Sequence, residues 1–142
     1  MNSHVKKLPS IHNCVYTIER TFMKNVLLLH GALGSKEQLE GIAKELSGKF
    51  KVHSINFGGH GGYATDHPFS IDFFTDEVFQ YLEKYKLEQV SIFGYSMGGY
   101  VALNLASKQP KKVERIVTYG TKFNWSTETS AKEVKMLNPH MI

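Results

Sequence analysis

Gly94, Ser96 and Gly98 form a Gly-x-Ser-x-Gly pattern within Gly94-Tyr95-Ser96-Met97-Gly98-Gly99. The apolar run Val90-Ser91-Ile92-Phe93 comes directly before it, and Tyr100-Val101-Ala102-Leu103-Asn104-Leu105-Ala106 directly after keeps a helical pattern. A serine between glycines at a strand-to-helix turn is the setting in which a hydroxyl becomes a nucleophile. Such a turn is tight enough to strain the serine backbone, and the flanking glycines let strand and helix approach. The hydroxyl then stands at a helix N-terminus, whose dipole and free amides favour an oxyanion. Outside that setting the same residues are a tight turn with an inert serine.

Two further turns carry the same chemistry. His30-Gly31-Ala32-Leu33-Gly34 follows the apolar run Asn25 to Leu29. A backbone amide there, that of Ala32, could aim at the same spot as the amide of Met97, giving the two donors that a tetrahedral intermediate needs. His30 is read as shaping this turn by hydrogen bonding rather than as titrating in catalysis; alone, the segment could be a plain tight loop. Asn56-Phe57-Gly58-Gly59-His60-Gly61-Gly62 follows the run Lys51 to Phe57. His60 is read as structural or as lining a pocket rim. A phosphate-cradling loop would need Gly-x-x-x-x-Gly-Lys-Ser/Thr, or Gly-x-Gly-x-x-Gly at the first strand–helix junction, and neither occurs. No group of His, Cys, Asp and Glu has metal-ligand spacing, so no metal and no cofactor are expected.

The elements that must hold these turns alternate. Asn13 to Arg20, Asn25 to Leu29, Lys51 to Phe57, Val90 to Phe93 and Val113 to Tyr119 read as strands. Ser35 with Gln38 has capping-box spacing ahead of a helical stripe of Leu39, Ile42, Ala43 and Leu46, which Gly48 ends. Ser70 caps a second helix with the stripe Phe73, Phe74, Val78, Tyr81, Leu82 and Tyr85. Tyr100 to Ser107 is a third, stopped by Pro110, and Ser126-Thr127 opens a last one through about Met136. Strands alternating with helices predict an α/β fold: a mostly parallel sheet with helices on both faces. Active groups in such sheets gather at the carboxyl ends of the strands, where all three Gly-rich turns fall.

At 142 residues the chain predicts a single domain, 1–142, with 42% hydrophobic and 21% charged residues. The net charge of +4 is spread over dispersed lysines and two arginines, Arg20 and Arg115, without a basic block interleaved with aromatics. Nucleic acid is therefore not an expected partner. A lone cysteine, Cys14, excludes an internal disulfide. No apolar run reaches the roughly 18 residues of a membrane span, and the N-terminus has no secretory pattern. Neither a membrane association nor export is expected, which leaves a cytoplasmic location as the default.

Taken together in order and spacing, the turns at His30-Gly31-Ala32-Leu33-Gly34, Asn56 to Gly61 and Gly94 to Gly99 resemble the α/β-hydrolase superfamily. The resemblance covers nearly the whole chain from about Val15. The middle turn departs from the usual form, with Asn56 in place of aspartate and Gly58 where proline is common. The resemblance implies Ser96 as nucleophile, with the backbone amides of Ala32 and Met97 as the oxyanion hole. It implies a small acyl substrate, an ester or thioester, contacted around His30, Gly31, His60 and Tyr95, with attack by Ser96, an acyl-enzyme and release to water. Phe123 and Trp125 could line an acyl pocket or serve simple packing, and the segment from about 123 to 142 resembles the start of a lid.

In this superfamily the acid and the histidine follow the serine. Here Glu114, Glu128 and Glu133 are the downstream acids and His140 the only downstream histidine. Glu114 precedes the last strand at the wrong end, the other two acids lie in the lid-like helix, and His140 sits in the final tail. The expectation is that the chain represents the N-terminal half to two thirds of a longer protein. A second reading is a non-catalytic binding or interaction module that keeps the fold; a nucleotide-binding protein is a third. In a 142-residue chain the strand Val113 to Tyr119 would form a sheet edge, which predicts a homodimer or domain swap through it.

Overall fold

The computed structural model describes residues 23–136. The predicted strand at 13–20, Cys14 and His140 lie outside the described residues. Four strands, β1 (Asn25–Leu29), β2 (Lys51–Ile55), β3 (Val90–Tyr95) and β4 (Val113–Tyr119), form one sheet in the order β2-β1-β3-β4. Every pairing is parallel. Between them run α1 (Glu40–Leu46), α2 (Ile71–Lys84) and α3 (Met97–Lys108), and α4 (Thr127–Met136) follows β4.

β1 is the central strand, and its sequence shows why. Its successive side chains alternate between faces, and all of Val26 to Leu29 are buried. Leu27 and Leu29 join Phe74, Val78 and Leu82 of α2 and Val101, Ala102 and Leu105 of α3 in the larger core. Val26 and Leu28 face the other way, onto Leu39 and the partly buried Ile42, Ala43 and Leu46 of the α1 segment. Helices therefore cover both faces. Each fully buried Leu or Phe of these layers contributes about 1.5–3 kcal/mol.

Register aligns the chemistry. Leu29 sits opposite Ile55 on one side and Gly94 on the other, and Tyr95 opposite Tyr119. The turns after β1, β2 and β3 thus open on one edge of the sheet, as their sequence positions predict. β4 is the last strand on its side among the described residues. Its Val117 and Tyr119 are 60% and 67% exposed.

Two local readings need correction. Ser35 and Gln38 form no capping box: residues Lys36–Leu39 make a 3-10 turn, the Ser35 hydroxyl caps nothing, and α1 begins only at Glu40. The cap comes from elsewhere, because Asn56 Oδ1 accepts the Lys36 amide at 2.6 Å. The third helix begins three residues before Tyr100, at Met97, immediately after the serine. Ser70 does cap α2, its hydroxyl accepting the Phe73 amide at 3.0 Å.

Candidate active site

Ser96 joins β3 to α3 with φ 49° and ψ −112°. A serine at positive φ costs on the order of 1–3 kcal/mol and persists only where its surroundings fix it. Here both peptide groups are fixed. The Ser96 amide donates to the Tyr119 carbonyl at 2.8 Å, and its own carbonyl accepts from the Gly99 amide and from Thr121 Oγ1, each at 3.0 Å. The pattern's glycines are places where backbones meet. A Cβ on Gly94 would stand 2.6 Å from the Gly98 carbonyl group, and one on Gly98 would collide with the Leu29 carbonyl oxygen. The Ser96 hydroxyl caps no amide of α3, which leaves it available for other chemistry.

The turn after β1 lies against this serine. A Cβ on Gly31 would stand 3.2 Å from Ser96 Cβ and 3.0 Å from Tyr95 Cδ1. Gly34 closes the turn by donating to the Gly31 carbonyl at 3.1 Å. Ala32 and Met97 both line the cavity into which Ser96 faces. As the first residue of α3, Met97 has an amide with no intrahelical acceptor. Among the described residues, neither its amide nor that of Ala32 is bonded to a backbone carbonyl.

His30 and His60, expected as substrate contacts, are not among the residues lining that cavity. His30 is fully buried, and its ring is spent on the fold: Nδ1 donates to the Gly31 carbonyl at 2.7 Å, and Nε2 accepts the Phe57 amide at 3.2 Å. Burial holds its pKa below the usual histidine value of 6.5. It staples the turn after β1 to the turn after β2. His60, 7% exposed, donates from Nδ1 to the Gly58 carbonyl at 3.1 Å among Phe57, Phe69 and Phe74. Gly31 is buried under Tyr95, and Tyr95 stacks on Tyr119 at 6.1 Å; these two also lie outside the cavity lining.

The cavity beside Ser96 measures about 580 Å³, within the range of small-molecule sites. Ile71, Tyr100 and Trp125 line its remaining apolar wall, and Lys122 with Glu133 its polar end. Lys122 Nζ lies 2.9 Å from Glu133 and 5.4 Å from the centre of the Trp125 ring. Tyr100 and Ile71 were not among the sequence candidates; for Tyr100 the signal was its place one helical turn after Ser96. Thr121, which holds the Ser96 carbonyl, carried no sequence signal. A larger cavity of about 750 Å³ lies between the loop after β2 and α2 and shares no lining residue with the first. Its walls hold no serine at positive φ, so size alone does not mark the site.

The downstream acids are placed as follows. Glu114 is the second residue of β4, at the strand's amino end, paired with Lys24 at 2.5 Å. Glu128 is exposed on α4, and Glu133 is the one that reaches the cavity. No histidine among the described residues lines it. Also among the described residues, no three His, Cys, Asp or Glu side chains converge as metal ligands, and no helix is long and apolar enough to cross a membrane.

A parallel sheet flanked by helices, with a strained serine at the strand-to-helix turn, defines an α/β-hydrolase-type scaffold. The family model described as alpha/beta hydrolase fold matches residues 24–138, and the chain belongs to that family of hydrolases. It is 37% identical over 94 residues to abhydrolase domain-containing protein C22H12.03 of Schizosaccharomyces pombe, covering 65% of this chain and 35% of that protein. It is 35% identical over 95 residues to the sn-1-specific diacylglycerol lipase ABHD11 of Xenopus tropicalis, covering 66% of this chain and 30% of the lipase. Among solved structures, an esterase from a marine microorganism superposes with a TM-score of 0.72 at 25% identity, covering 84% of this chain and 48% of the esterase. The chain spans about a third of the length of these curated relatives.

Proposed function

We propose that this chain carries the nucleophile and oxyanion donors of a serine hydrolase acting on small acyl esters. The observation that carries the reading is Ser96: strained at φ 49°, pinned on both peptide sides, uncapped, and sharing one cavity with Ala32 and Met97. Ser96 Oγ attacks the acyl carbonyl, whose oxygen becomes an oxyanion facing the amides of Ala32 and Met97. The carbon–oxygen bond to the alcohol then breaks, and the alcohol leaves with a proton. Water attacks the acyl-enzyme, releasing the acid and regenerating the serine hydroxyl. Each oxyanion donor is worth about 3 kcal/mol of transition-state stabilisation. The lipase and esterase relatives support an acyl ester as substrate. The reading assigns the general base to a group outside the described cavity lining, and a cytoplasmic location goes with it.

A second reading, a binding module that keeps the hydrolase fold, is favoured by one observation: Glu133, the only carboxylate lining the cavity among the described residues, is held by Lys122. Without its base a serine is a weak nucleophile. Incubation with a fluorophosphonate and intact-mass spectrometry separates the two. A stoichiometric adduct that Ser96→Ala abolishes is expected for the hydrolase. A folded chain that takes up no adduct refutes it and leaves the binding module.

A further inference from the structure

One hydroxyl joins the two aromatic residues that line the cavity, Tyr100 and Trp125. Tyr100 stands on α3 one turn after Ser96. Its Oη donates to the Lys122 carbonyl and accepts the Trp125 indole N–H at 2.8 Å. The indole N–H is the only polar atom of a tryptophan side chain. With it bonded to Tyr100, the ring offers the cavity apolar surface alone. Phe123 packs on the Tyr100 ring with centroids 5.9 Å apart, so it supports this wall from outside and is not itself part of the lining. At the polar end, the Lys122 ammonium is engaged by Glu133 and by the Trp125 face. The pair neutralises itself and leaves no spare cation for an anionic group.

We infer that Trp125 is the specificity-determining wall for an uncharged acyl chain, and that Tyr100 is the positioning residue that sets it. The inference rests on the acyl-ester reading of Ser96. The chain would lie between Trp125 and the side chains of Ile71 and Met97, its carbonyl carbon at Ser96. An acyl group ending in a carboxylate would lose its hydration there without gaining a cation, because the Lys122 ammonium is already paired with Glu133, so it is selected against.

Trp125 is the only tryptophan, so its fluorescence reads the wall directly and needs no turnover. The 142-residue chain is titrated with straight-chain methyl ketones of graded length, which are uncharged and cannot be hydrolysed. Affinity is expected to rise about four-fold per added methylene until the wall is reached. Keto acids of matched length are expected to bind at least about ten-fold more weakly. Tyr100→Phe, checked for folding by its melting curve, should red-shift Trp125 emission and flatten the length dependence. A length-independent response, keto acids binding as tightly as ketones, or a folded Tyr100→Phe with the wild-type length profile each overturns the inference. If Tyr100→Phe fails to fold, the ketone and keto acid series on the wild-type chain decides. Fluorophosphonate labelling of the same sample separates this inference from the reading beneath it. Labelling without length dependence sinks the inference alone. Length dependence without labelling leaves the wall standing and sinks the hydrolase.

Discussion

Gly98→Ala tests whether the serine turn depends on backbone contact. An alanine Cβ at this position would lie 2.7 Å from the Leu29 carbonyl carbon and 2.8 Å from the His30 carbonyl oxygen. Both are backbone atoms at the end of the central strand, and neither can swing aside. The Leu29 carbonyl oxygen is nearer still, so to restore ordinary contact α3 must retreat from β1 by roughly 1 Å. Overpacking of this kind costs about 1–3 kcal/mol, which in a domain this size lowers the melting temperature by about 3–10 °C. The same retreat carries the Met97 amide away from the cavity. Oxyanion donors work at about 2.7–3.1 Å, so fluorophosphonate labelling of Ser96 should slow beyond the loss of folded protein, by up to about a hundred-fold. Two other glycines calibrate the result. Gly41, exposed in α1, has nothing within 4 Å of an added Cβ, so Gly41→Ala should gain up to about 1 kcal/mol of helix propensity. Gly99 would meet the Thr121 hydroxyl, a side chain able to move, and Gly99→Ala should fall between. Melting curves and labelling rates on the three variants decide. A Gly98→Ala chain that melts within about one degree of wild type and labels at the same rate would refute the close-approach argument.

Acidification should destabilise the fold through its buried histidines. Burial lowers the pKa of His30 and of His53, so below about pH 6.5 the unfolded chain takes up protons before the native one does, and stability falls as pH drops through that window; melting temperatures that stay level from pH 7.5 to 5 would contradict this. Ser96→Gly should raise stability, because relief of about 1–3 kcal/mol of strain outweighs the 0.5–1 kcal/mol that glycine costs in entropy; a lower melting temperature in that variant counts against strain at Ser96. We also propose that a polypeptide of these 142 residues pairs with a second copy through the outer edge of β4, where Val117 and Tyr119 are exposed; sedimentation showing a strict monomer at high concentration rules this out.

The sheet and its three turns were legible because their signals are local. Apolar runs of four or five residues ending in glycine gave β1 and β3 to within two residues, and the glycines around Ser96 announced the turn. What sequence could not supply were partnerships between distant segments. The cap of the first helical turn is Asn56, twenty residues downstream of Lys36, and a local Ser35–Gln38 spacing cannot compete with a carboxamide already in place. The histidines of the two Gly-rich turns could have faced the cavity or the core. Phe57, Phe69 and Phe74 around His60, and the Phe57 amide on His30, are what turn them inward. Trp125 was readable only as either packing or pocket wall, because its partner Tyr100 lies 25 residues earlier.

The two departures in the middle turn show how such partnerships absorb a change in motif. An aspartate at position 56 would supply a carboxylate acceptor; Asn56 keeps an acceptor oxygen, and that oxygen holds the Lys36 amide. Its side chain also fills the space against Gly61, at φ 55°, where an added Cβ would strike it. A proline at position 58 would have no amide proton. Here the Gly58 amide donates to both carboxylate oxygens of Glu77, at 3.1 and 3.0 Å, and a Cβ would crowd that carboxylate and the Phe73 ring. The rigidity that proline gives through its ring is thus supplied by α2 through a charged acceptor. Gly58 and Glu77 therefore act as one unit. Changing Gly58 to proline alone would leave the Glu77 carboxylate without its donor and push the ring into Phe73, so restoring the commoner residue would loosen the turn that His30 ties to the turn after β1.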